Sequence, residues 1–103
     1  MIKNMVLCLI GVLIISAMPA EAAPVYAKWG TIAVKETQKR YNADIIDYKH
    51  IGRTQLTPET AEEKFKLWLR TRAGREFGVY VSIRFNVSTD EMQSIQFTET
   101  DRR

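Results

Sequence analysis

The sequence predicts an α+β fold, with one N-terminal amphipathic helix packed on a four-stranded antiparallel sheet. Three observations carry that expectation. A helical apolar period runs from about Tyr26 to about Tyr41. After it the period falls to two, in segments that are apolar on one face only. Turn-forming residues separate those segments, and a sheet with one apolar face buries it against the available helix while its other face stays wet.

At 100° per residue, Tyr26, Trp29, Gly30, Ala33, Val34, Thr37 and Tyr41 fall on one side of the helix. Lys28, Thr31, Lys35, Gln38 and Lys39 fall opposite, and Ile32 alone is out of phase. Pro24 suits the start of a helix, and Asn42 tolerates the left-handed conformation that ends one. The next segment, "DIIDYKHIG" (Asp44 to Gly52), reads as a strand with Ile46, Tyr48 and His50 on one face and Ile45, Asp47, Lys49 and Ile51 on the other. "RTQLTPET" then reads as a loop, because Pro58 bars a continuous strand.

"KFKLWLRTRAGREFGVYVSIRF" (Lys64 to Phe85) reads as a hairpin. Phe65, Leu67 and Leu69 alternate with Lys64, Lys66, Trp68 and Arg70, while Phe77, Val79, Val81, Ile83 and Phe85 alternate with Tyr80, Ser82, Arg84 and Asn86. Gly74 supplies the positive φ of the turn. "NVSTDE" makes a second turn, "MQSIQFTE" returns with Ile95 and Phe97 inward, and "TDRR" is expected to be a frayed tail.

The first residues point to export. Lys3 precedes the short apolar run Met5 to Met18, and small Ala20 and Ala22 stand two apart, which predicts a signal peptide over residues 1–22 cleaved after Ala22. Cys8 is the sole cysteine and lies within that run, too early and behind Leu7 for a lipoprotein site. The remaining domain, 23–103, therefore has no disulfide, thiolate nucleophile or cysteine-based metal site. An exported domain of that composition depends on packing alone, and a chain this short buries only about 60% of its unfolded surface. Loss of the leader removes one positive and one negative side chain, so the net charge stays at +3. That mild bias suits weak attraction to anionic polymers.

The blocks "YAKWG", "DYKHIGR", "EEKFKLWLR" and "REFGVYVSIRFN", in that order, resemble the YqzG/YhdC-like family of small exported proteins from Bacillus-type bacteria, a family of unknown function. The resemblance spans the predicted mature chain. It implies export, a single domain and a bacterial source, and it transfers no activity and no catalytic residue. The expected layout also resembles PepSY and cystatin-like domains, some of which bind or inhibit peptidases.

No constellation in the sequence suggests an enzyme. His50 is the single histidine, and Ser82, Ser88 and Ser94 lie outside any GxSxG elbow. His50 reads as a strand histidine with its hydrogen bonds satisfied. Glu62 and Glu63 are neighbours on a strand, so they point to opposite faces and form no dyad. The five glycines are dispersed, so no phosphate loop is expected, and neither metal nor cofactor is implied.

The outer sheet face is the remaining candidate, with Lys64, Lys66, Trp68, Arg70, Tyr80, Arg84 and Gln96 sharing one surface. Lys66, Trp68, Arg70, Tyr80 and Arg84 are the expected binding residues: aromatics beside cations stack on sugar rings, and cations pair with phosphates. A plainer reading makes Trp68 and Tyr80 a cross-strand pair shielded by long cationic stems. The expected function is that of an exported, non-enzymatic binding module whose partner is an anionic cell-envelope polymer or another exported protein. The alternative is a modulator of an exported peptidase, presenting the turns Arg72 to Glu76 and Val87 to Glu91 as a wedge. Self-association through the open face is a third possibility. Nucleic acid is not expected, because Glu62, Glu63, Glu76 and Glu99 dilute the basic pattern. Contact with a membrane is expected only through the leader.

Overall fold

The computed structural model describes residues 24–103. The expected leader, and its expected cleavage after Ala22, lie outside the described residues. Helix α1 (Ala27–Tyr41) is followed by strands β1 (Ala43–Gln55), β2 (Thr60–Thr71), β3 (Glu76–Asn86) and β4 (Met92–Thr100). All neighbouring pairs are antiparallel and the sheet order is β1-β2-β3-β4, a meander with α1 across one face. Among the described residues, no helix is long and apolar enough to cross a membrane.

The helix buries Trp29, Gly30, Ala33 and Thr37. Ile32 is half-buried against the same core, so the residue that looked out of phase contributes to packing. Lys39 and Arg40 in the last turn oppose the partial negative charge of the helix C-terminus. Asn42 ends the helix at φ 51°, ψ 51°, its N–H donating to the Gln38 carbonyl at 2.8 Å. Below α1, Phe65, Leu67, Leu69, Phe77, Val79, Val81, Ile83 and Phe85 form the core, and Trp29 stacks on Phe85 with ring centroids 4.5 Å apart.

Thr37 is wholly buried in this apolar layer and its hydroxyl has no hydrogen-bond partner. Stranding a hydroxyl costs about 1–3 kcal/mol, whereas the valine isostere fills the same volume with a methyl group. Thr37→Val should therefore raise stability by about 1 kcal/mol, seen as a higher urea midpoint at unchanged slope. A lower midpoint would mean that the hydroxyl is satisfied in solution.

The turns follow local chemistry. Gly74 takes φ 93° between β2 and β3, where Thr71 and Arg75 close the hairpin. Between β3 and β4 the Asn86 carboxamide oxygen accepts from the N–H groups of Ser88 (2.8 Å) and Thr89 (2.9 Å). The β1–β2 connection is shorter than the sequence suggested. Arg53–Gln55 extend β1 and Thr60–Glu63 start β2, leaving only Leu56–Glu59, with Pro58, outside the ladder.

β1 also departs from simple alternation. Its register against β2 shifts between Ile45 and Asp47 and again between His50 and Gly52, so Ile46 and Ile51 are the extra residues of two bulges. Ile45, rather than Ile46, consequently joins Tyr48 and His50 on the helix side, opposite Leu69, Leu67 and Phe65. The second bulge turns Arg53 inward, opposite Glu63. The tail is not frayed: the Arg102 N–H donates to Thr100 Oγ1, and Arg103 folds back over the outer face.

Candidate functional site

The pairing of β2, β3 and β4 brings the expected residues onto one surface. Reading across β2, β3 and β4, Glu62, Arg84 and Ser94 are opposed, as are Lys64, Ser82 and Gln96, then Lys66, Tyr80 and Thr98, then Trp68, Gly78 and Thr100. Arg70 faces Glu76 at the end of the ladder, and β1 contributes Lys49 directly opposite Lys66 and Asp47 opposite Trp68. Trp68 and Tyr80 are therefore not the cross-strand pair of the plainer reading. Trp68 crosses to Gly78, and it is the Lys66 ammonium that lies over the Tyr80 ring, 5.4 Å from its centroid.

Trp68 is not an open stacking platform either, being only 9% exposed. Its ring lies on the bare backbone of Gly78, where a Cβ would stand 2.8 Å from the Thr100 methyl and 3.1 Å from the indole. Its Nε1–H donates to Glu76 Oε1 at 2.7 Å, and the Arg103 guanidinium sits 5.2 Å from the ring centroid. Arg103 also pairs with Asp47 (2.8 Å) and Glu76 (3.7 Å).

The cations of this face divide by residue type. Arg70 pairs with Glu76 at 3.0 Å, Arg84 with Glu62 at 3.3 Å and Arg103 with Asp47. Among the described residues, no side-chain carboxylate lies within ion-pair distance of Lys49, Lys64 or Lys66, and Lys66 donates to the Arg103 carboxyl oxygen at 2.8 Å. The arginines thus neutralise the face's own side-chain acids, and Lys49 and Lys64 supply its uncompensated charge. Lys49 and Lys66 stand directly opposite each other, an arrangement that costs stability unless an anion joins them.

The indole N–H of Trp68, then the Arg70 guanidinium, hold the Glu76 carboxyl below its usual range, with the charges of Arg70 and Arg103 adding to the effect. A depressed carboxyl stabilises the fold above its unfolded-state pKa, and that contribution is lost as pH falls through the folded value. The Trp68 indole N–H resonance should therefore move on acidification along the same curve as the Glu76 side chain. Trp68→Phe should shift that curve to higher pH, and an unmoved curve would deny the contact.

A second cluster, on the opposite side of the sheet, was not read from the sequence. Glu63 is fully buried beneath the start of α1. Its Oε1 lies 2.6 Å from His50 Nε2 and its Oε2 accepts from Arg53 Nε at 2.6 Å. Tyr26 stacks on the imidazole with centroids 3.6 Å apart and Arg53 lies 4.9 Å from the centre of the Phe85 ring. The signal was present: Glu63 shares strand parity with Phe65, Leu67 and Leu69, an acid in the buried phase. His50 is a satisfied histidine, and what satisfies it is a buried carboxylate. Among the described residues no group of three His, Cys, Asp or Glu side chains is arranged to hold a metal ion.

The two turns proposed as a wedge flank the 11-residue β3 at its opposite ends, separated by about 35 Å of extended chain, so they form no common edge. The neighbour of the Val87–Glu91 turn is the β1–β2 connection, through the Val87 N–H to the Glu59 carbonyl at 2.9 Å.

A family described as a protein of unknown function (DUF3889) matches residues 6–99. The chain is 33% identical over 105 residues to the uncharacterized protein YqzG of Bacillus subtilis (strain 168), covering 96% of both chains. No solved structure matches.

Proposed function

The chain belongs to the DUF3889 family, whose function is unknown, and we propose from the site itself that it is a non-enzymatic, exported binding module whose outer sheet face contacts an anionic polymer of the cell envelope. One observation carries the reading: the arginines of that face are paired with its own side-chain carboxylates, while Lys49, Lys64 and Lys66 pair with none of them. A surface arranged only for solubility intersperses its signs. Here the unpaired charge collects on neighbouring rungs of one ladder, beside Tyr80 and Gln96.

Adsorption to isolated cell wall, with and without its teichoic acid, tests the proposal over a salt series. Binding should need the anionic polymer, weaken as salt rises, and fall further for Lys64→Glu than for Lys35→Glu on the exposed side of α1. Equal losses from both variants would reduce the attraction to net charge and remove the sheet face as a site. Export is tested separately by the mass of protein recovered outside the cell, which should begin at Ala23; an intact leader would place the protein elsewhere.

A further inference from the structure

At the β1 margin of the outer face, Asp47, Tyr48, Lys49, Lys66, Trp68 and Arg103 line a cleft of about 250 Å³. We infer that this cleft is a subsite for one phosphate group of a polyol phosphodiester polymer, held by the ammonium groups of Lys49 and Lys66. The inference rests on the outer-face reading and names its ligand chemistry.

Lys49 and Lys66 are directly opposed across the strand pair, which places their Cβ atoms about 5 Å apart. A phosphodiester has two unesterified oxygens and a permanent negative charge, so one group can accept from both ammoniums and remove their mutual repulsion. The Lys66 ammonium already holds an anionic oxygen in this cleft, the Arg103 carboxyl oxygen at 2.8 Å, whose place a phosphate oxygen takes, and it has two further hydrogens to give. Lys64 lies two residues along the same face, about 7 Å from Lys66. A short polyol spacer between successive phosphates spans a comparable distance, so a chain seated at Lys49 and Lys66 carries its next phosphate to Lys64.

Arg103 acts as a positioning residue. Its guanidinium is bound at 2.8 Å to Asp47, which lines the cleft, and lies 3.7 Å from Glu76 behind Trp68. Neutralised in this way, neither repels an incoming phosphate. Removing Arg103 exposes both carboxylates to the anion although the side chain itself makes no bond to it.

Titration calorimetry of the purified protein with polyglycerol phosphate, polyglutamate and inorganic phosphate, at low and moderate salt, tests this. Lys49→Gln and Lys66→Gln should each weaken polyglycerol phosphate binding roughly tenfold and flatten its salt dependence by about one charge. Lys64→Gln should weaken the polymer and leave inorganic phosphate unchanged. Arg103→Ala should weaken binding as much as a lysine loss, and adding Asp47→Asn should restore most of it, a rescue that a merely structural role does not give. If the polymer binds and only Lys64→Gln or Arg84→Gln weakens it, the face is a site but this cleft is not its phosphate subsite. Polyglutamate binding as tightly as polyglycerol phosphate overturns the ligand class. If the parent protein binds none of the three probes, the outer-face reading fails and the subsite with it.

Discussion

Glu63→Ala is expected to destabilise the fold by about 3 kcal/mol, against less than about 1 kcal/mol for Glu62→Ala one residue earlier. The two acids have the same chemistry and opposite surroundings. Glu62 sits on the wet face opposite Arg84, an ion pair of the kind that contributes about 0–1 kcal/mol. The Glu63 side chain is 1% exposed and both its oxygens are taken, by His50 and Arg53. Removing one member of a buried ionic group leaves its partners uncompensated, at a cost of about 3–5 kcal/mol. Arg53 retains partial access to water, which places the loss at the lower end of that range. Glu63→Gln keeps the volume and part of the hydrogen bonding and should fall between the two alanine variants. Urea unfolding measures all three, and equal midpoints for Glu63→Ala and Glu62→Ala would show that the buried carboxylate contributes nothing.

Trp68→Ala should cost about 3 kcal/mol although its side chain belongs to the solvent-facing side of the ladder, because truncating a packed tryptophan forfeits most of its buried area. The loss has three parts: the indole leaves Gly78 bare, Glu76 loses its N–H donor, and Arg103 loses the ring beneath it. Tyr80→Ala, on the adjacent rung and only half-buried, should cost much less. Thermal unfolding of the two variants separates them, and similar losses would mean that Trp68 is exposed in solution. The consequence for binding studies is direct. A Trp68→Ala protein that fails to bind has lost structure as well as surface, so the lysine variants are the cleaner probes of the site.

These two residues mark where the sequence was legible. The strict alternation of Lys64 to Arg70 and of Phe77 to Asn86 gave the hairpin and the membership of both faces, because a period of two has one reading once one side is apolar. Asn42 and Gly74 marked left-handed positions that the backbone adopts. Three features were not legible. A bulge adds one residue without a composition signal, so Ile45 and Ile46 exchange faces unannounced. The sequence shows Glu63 only as a neighbour of Glu62 that forms no dyad with it, and it is the inward turn of Arg53 after the second bulge that supplies the cation making its burial tolerable. Arg103 looked like part of a frayed end, since a tail's attachment depends on long-range partners, here Asp47 and Trp68. Of the candidate site, the identities of Lys66, Tyr80 and Arg84 on one surface were readable. Which cations are already occupied required coordinates.

The irregularity of β1 also governs what the sheet refuses. β1 is one of the two free margins of the meander, positions at which a foreign strand would add. Two surplus residues cut its ladder into the short runs Ala43–Ile45, Asp47–His50 and Gly52–Gln55, and each kinks the backbone and throws its N–H and C=O groups out of line. Asp44, Asp47, Lys49 and Arg53 add charges of both signs along the same margin, which penalise a mismatched newcomer. With no run longer than four aligned residues, this margin is a poor template for a further strand. The kinks that bring Arg53 to Glu63 are thus also a guard against edge-to-edge growth into fibrils.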